Sequence, residues 1–195
     1  MVIHAGRLTE PPSIVPTRLL RQLFRQARPG SARLPAHGMH PPLLPRERVL
    51  VTEQEAGGVP VVATTYALHH LYQSGSLTTW QRLPWEEIGR VHWERRTGVL
   101  TMVRFPGGPQ STVRLRLSPS SAMPALVRER VAATEIAAAE IALTGYPSTV
   151  RARRRPGTSR IMWIVLLGPG VDPHDPQVQA GIDAATRDLR VRLGL

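Results

Sequence analysis

The sequence predicts an α+β chain, mainly β: an antiparallel β-roll or small barrel capped by a helix, then an extra β-hairpin and an amphipathic C-terminal helix. Three observations carry this. Between Glu47 and Leu117, short runs rich in β-branched and aromatic residues follow one another, several with strict apolar–polar alternation. Tight turns join them, and such short links suit antiparallel neighbours, because parallel strands need a long crossover. After that stretch the pattern changes to helical spacing of apolar residues, around Met123–Val131 and Val178–Leu193.

Taken in order, "ERVLVTE" reads as a strand and "EAGGVP" as a turn. "VPVVATTYALHHLYQ" holds two strands or one long bent one, "SGS" turns the chain, and "LTTWQRL" starts the next strand. In "IGRVHWE", alternation places Gly89, Val91 and Trp93 on one face and Ile88, Arg90, His92 and Glu94 on the other. "RRTG" supplies a hairpin turn in which Gly98 suits positive φ. "VLTMVRF" returns, "PGGPQ" turns again, and "TVRLRL" directs Val113, Leu115 and Leu117 to one side, with Thr112, Arg114 and Arg116 on the other.

A serine cap and early proline then open a helix whose stripe is Met123, Leu126, Val127 and Val131. Alanine and glutamate favour its continuation to about Leu143, although Thr134–Ile141 can also pass into a strand. "YPSTVRARRRPG" and "RIMWIVLL" form the second hairpin. An Asp-Pro start and the stripe Val178, Ile182, Ala185, Leu189 and Leu193 define the closing helix.

The string "GGVPVVATTYALHHLYQSG…WQRLPWEEIGRVHW…GVLTMVRF…TVRLRL", followed by a helix, resembles bacterial pleckstrin-homology-like (PH-like) and GRAM-type domains over roughly residues 46–135. The step ending in "ATTYAL" and the passage "LPWEEIGRV" carry the likeness. It implies a binding or scaffolding module without catalysis, on a barrel plugged at one end by its helix. The phosphoinositide grip of that family uses basic residues after the first strand; here that loop is "TEQEAGG", with two glutamates and no base.

Three regimes follow: a Pro- and Arg-rich irregular arm over 1–45, the β-roll with its helix over 46–146, and the hairpin with the last helix over 147–195, packed on the same domain. Within the arm, "TRLLRQLFRQ" alone has helical spacing, and Met39 offers a second start site. No secretory leader pattern opens the chain, and no apolar run is long enough to span a membrane, so the expectation is a cytoplasmic protein.

Composition narrows the chemistry. The net charge is +11, and all 25 basic residues are arginine, which together with abundant Ala, Gly and Pro points to a GC-rich bacterial coding sequence. Residues 1–45 hold six Arg and one Glu; the rest hold nineteen Arg against thirteen acids, a moderate excess. Without cysteine there are no disulfides or thiolate sites, and without lysine no P-loop. Catalytic motifs such as G-x-S-x-G and H-E-x-x-H are missing, so no enzyme and no cofactor is expected.

Candidate contacts are basic. Arg151, Arg153 and Arg155 share a face if Val150–Arg155 is a strand, with Arg160 across the turn, at a spacing of about 6–7 Å that suits successive phosphates. The same letters suit a solvated edge that resists aggregation. Arg104, Arg114 and Arg116 make a second strip. His69 and His70 point to opposite faces and cannot chelate one ion together. Asp172, His174 and Asp175 have ligand chemistry, but a turn and a helix cap explain them, and no metal is assigned. Trp85 and Trp93 read as packing posts, Trp163 as core, and Trp80 as partly exposed. The resulting expectation is docking of a protein or peptide partner at a sheet edge. The alternative is nucleic-acid or anionic-surface binding through the Arg151–Arg160 hairpin.

Overall fold

The computed structural model describes residues 2–5, 40–74, 77–105, 111–143 and 147–195, and for 2–5, 73–74 and 77–78 it describes the backbone alone. The expected helix in "TRLLRQLFRQ", Met39 and the turn "PGGPQ" lie outside these residues, as does most of the "SGS" turn.

Strands β2 (Val49–Gln54), β3 (Pro60–Thr64), β4 (Ala67–Ser74) and β5 (Leu77–Pro84) form one antiparallel sheet in that order. A 3₁₀ turn (Trp85–Glu87) leads into a second antiparallel sheet of β6 (Ile88–Glu94), β7 (Val99–Arg104) and β8 (Thr112–Arg116). Helix α1 (Met123–Thr134) packs against the 3₁₀ turn and β6. The fold is α+β and mainly β, as the alternation implies. The described strands form three sheets and do not close into a barrel.

Both sheets and α1 share one core. Val61, Ala63 and Leu68 meet Leu100, Met102, Leu115 and the α1 stripe Met123, Leu126, Val127 and Val131, with Trp85 and Ile88 wholly buried among them. Val91, Trp93 and Val113 pack on it half-buried. The two sheets touch at a corner, where the Ala56 N–H donates to the Arg116 carbonyl at 2.8 Å. Ser121 ties the start of α1 to β2: its hydroxyl donates to the Glu53 carboxylate at 2.5 Å and accepts the Met123 N–H at 3.0 Å.

Ile88 departs from the expected alternation. A bulge between Ile88 and Arg90 shifts the β6–β7 register, so Ile88 turns into the core while Arg90, His92 and Glu94 still face out. Gly98 sits at φ +66°, and a Cβ there would run into the Leu117 carbonyl, so the hairpin turn admits glycine alone without strain.

The third sheet has the order β1-β11-β10-β9, with β1 (Val2–Ala5), β9 (Glu135–Ile141), β10 (Ser148–Arg154) and β11 (Ile161–Leu167). The helix extension to Leu143 is not seen. α1 ends at Thr134, and "EIAAAEI" runs extended against β10, where pairing outweighs the helix preference of alanine. β1 lies parallel to β11, so four residues of the expected arm extend this sheet. Helix α2 (Pro176–Arg192) covers the sheet with Val178, Ile182, Ala185 and Leu189, against Ile141, Val150, Val165 and Leu167. Asp175 caps α2, its carboxylate accepting the Gln177 N–H at 2.7 Å. The Arg190 guanidinium lies 5.8 Å from the centre of the Trp163 ring, which is half-buried.

Candidate functional site

The arginines singled out by spacing part company in the fold. Arg153 is 4% exposed, and its guanidinium Nη1 donates to the Ile88 carbonyl and, at 3.5 Å, to that of Glu86. A bulge between Ala152 and Arg153 in the β9–β10 pairing accompanies this inward turn. Burial draws the Arg153 guanidinium below its ordinary range, with Glu135 opposing the shift and Arg151 adding to it. Arg153 thus clamps the third sheet to the 3₁₀ turn and β6.

Arg151 donates to Glu135 at 3.0 Å, and Arg155 Nε meets Glu86 Oε1 at 3.2 Å. Arg160, Arg114 and Arg116 stay exposed, while Arg104 is tied to Glu87 at 2.6 Å. The row of three phosphate-spaced guanidinium groups is therefore split between a buried clamp and two ion pairs.

Replacing Arg153 by methionine keeps the stem and removes the donors. Two buried carbonyls then lose a partner, each worth about 1–3 kcal/mol, while relief of the buried charge offsets part of that. The expected net loss is about 2 kcal/mol in urea unfolding. Arg151→Met, which removes a half-exposed ion pair, should cost under about 1 kcal/mol.

A second polar group, not foreseen in the sequence, lies on the other face of the first sheet. The turn at Leu44–Glu47 places Arg46 at φ +65°, a strained value for a side-chain-bearing residue. Glu47 holds this turn from both ends: its N–H donates to the Leu44 carbonyl at 3.0 Å, and its carboxylate accepts the Leu44 N–H at 2.8 Å. The same carboxylate accepts the Thr64 hydroxyl at 2.5 Å and faces His69 Nε2 at 3.2 Å and Arg82 Nη2 at 3.8 Å.

Burial would raise the Glu47 pKa, but the Thr64 hydroxyl, the Leu44 N–H, His69 and Arg82 together bring it below the usual carboxylate value. His69 moves down because it is buried, against the pull of Glu47 and with a push from Arg82. Neutral His69 therefore donates through Nε2, leaving a buried Nδ1 that meets no partner among the described residues. Its neighbour His70 is also buried, and also lowered by burial, although the two rings face opposite sides. Thr64, Glu47 and His69 are the residue types of an acid–base set, but all three are sealed from solvent.

The third feature is an edge. β2 ends its sheet, and a bulge between Val49 and Val51 leaves Leu50 as the extra residue. Val49 and Leu50 are therefore both turned outward, at 48% and 40% exposure, and Leu43 and Leu44 just before them are exposed to a similar degree. Arg46 and Arg48 lie between, also exposed.

Asp172, His174 and Asp175 are spent on their own turn and on the α2 cap: Asp172 accepts the His174 N–H at 2.9 Å. Among the described residues no helix is long and apolar enough to cross a membrane. Compared with known proteins, the chain matches no family model, no curated sequence and no solved structure.

Proposed function

We propose that this chain is a non-catalytic PH-like binding module that docks an extended protein or peptide segment along the outer edge of β2. The observation that carries the reading is the exposed run Leu43, Leu44, Val49 and Leu50 on and before β2, whose outer side pairs with no strand among the described residues. Edge strands in soluble proteins are usually blunted by charge or covered. An apolar one offers main-chain groups for pairing and side chains for specificity. Arg46 and Arg48 favour a partner that carries acidic residues among its apolar ones.

Two antiparallel sheets and a helix sharing one core over the segment of the resemblance support the PH-like assignment. Binding is preferred to catalysis because the acid–base side chains Thr64, Glu47 and His69 satisfy one another out of reach of a substrate.

A photo-crosslinking residue in place of Leu50, compared with one in place of Val191 on α2, tests this in the full chain. The expected result is one polypeptide captured at position 50 and not at 191, with capture surviving nuclease and high salt. Val49→Glu with Leu50→Glu should abolish it without changing the melting temperature. Equal capture at both positions, or none, overturns the proposal. Capture that vanishes with nuclease or salt transfers the function to the arginine hairpin, because phosphate contacts weaken steeply with ionic strength.

A further inference from the structure

A cleft of about 170 Å³ opens where the end of α1, the β3–β4 turn and the β10–β11 hairpin converge. Arg130 and Ala133 come from the helix wall, Arg154, Arg155 and Pro156 from the hairpin wall, and Thr65 from the turn. Three arginines from two walls thus line one small volume. The walls are braced: a Cβ on Gly157 would run into the Tyr66 hydroxyl, so the hairpin tip already rests on the β3–β4 turn.

The charges are only partly spent. Arg130 pairs with Glu129 through Nη2, but its buried Nε meets no partner among the described residues. Arg155 engages Glu86 through Nε. The exposed Arg154 side chain has no hydrogen-bond or ion-pair partner among the described residues. Thr65 Oγ1 accepts the Arg48 N–H at 3.1 Å, leaving its own proton for an incoming oxygen.

Ala133 and Thr134 bring the carbonyl end of α1 to the cleft, which disfavours an anion there. That effect fades within the last turn of a helix, whereas each guanidinium offers a charge-assisted bond. The arginines win.

We propose that this cleft binds the phosphate group of a small molecule. Planar carboxylates are satisfied by one guanidinium fork; a tetrahedral phosphate presents oxygens to donors from several walls, and Arg130, Arg154, Arg155 and Thr65 line this cleft from the helix, the hairpin and the turn. This inference is separate from docking at β2 and does not require it.

Isothermal titration of the full chain at low salt with inorganic phosphate, glucose 6-phosphate and acetate provides the test. Saturable binding of a phosphate probe and none of acetate is expected. Arg154→Gln and, from the opposite wall, Arg130→Gln should each weaken binding roughly tenfold. Arg160→Gln, on the same hairpin but outside the cleft, should leave it unchanged. Equal affinity for the two phosphates marks the free ion as ligand, and tighter binding of the ester marks an organic phosphate. Neither probe binding up to roughly 10 mM, or Arg154→Gln binding like the wild type, overturns the proposal.

Discussion

Trp85→Ala is expected to destabilise the chain by about 3–5 kcal/mol, measured by urea unfolding. The indole is completely buried in the core shared by both sheets and α1. Its Nε1–H donates to the Thr64 carbonyl at 3.0 Å, and its main-chain N–H reaches the Tyr66 carbonyl at 3.3 Å. One side chain therefore fills the interior and holds the β3–β4 turn. Truncation opens a cavity whose lining cannot fully collapse and leaves the Thr64 carbonyl without that donor.

Trp85→Phe separates the two contributions. It restores most of the volume but not the hydrogen bond, so about 1–2 kcal/mol of loss should remain. Trp93→Ala, at a half-buried ring, should cost less than Trp85→Ala. A loss below about 1 kcal/mol for Trp85→Ala would contradict its place at the centre of the fold.

Glu47→Ala is the second large effect, about 3 kcal/mol or more. It strands the buried His69 Nε2–H and takes the acceptor from the part-buried Leu44 N–H, while the Thr64 hydroxyl falls back on the Ala67 carbonyl at 2.9 Å. It also releases the turn that holds Arg46 at positive φ. Glu47→Gln should fall between Ala and wild type, because an amide supplies one acceptor oxygen where the carboxylate supplies two.

The same cluster sets an acid limb of stability. The folded pKa values of His69 and His70 lie below the ordinary 6.5, so the unfolded chain takes up those protons first, and stability falls as pH drops below 6.5. The folded Glu47 pKa lies below 4.5, so its contribution is complete above 4.5 and is lost as pH falls through the folded value. Glu86 acts in the opposite sense. Burial raises its pKa against the pull of Arg155, so acidification through the folded value favours the fold. Urea midpoints from pH 7 to about 5 should therefore fall, and less steeply in His69→Gln, which keeps a donor toward Glu47 but cannot take a proton. An unchanged slope in that variant would show that His69 does not carry the effect.

Much of this was legible along the chain. Val113, Leu115 and Leu117 face inward, the α2 stripe is buried from Val178 to Leu189, and Gly98 occupies the positive-φ corner. These are local matters, decided by a period of two or 3.6 residues and by the sterics of one turn. Other features needed the assembled fold. Arg151, Arg153 and Arg155 look equivalent by spacing, yet one is a buried clamp, because a bulge and two facing carbonyls select it. "EIAAAEI" becomes a strand because β10 offers it a ladder that composition cannot reveal. Glu47 and His69 meet across 22 positions of sequence. The amino-acid order determined which faces are apolar and where the chain turns, since neighbours along the backbone settle those choices. Only the tertiary structure decided which charges are buried and which partners they find, because desolvation and pairing depend on groups brought together from distant parts of the chain.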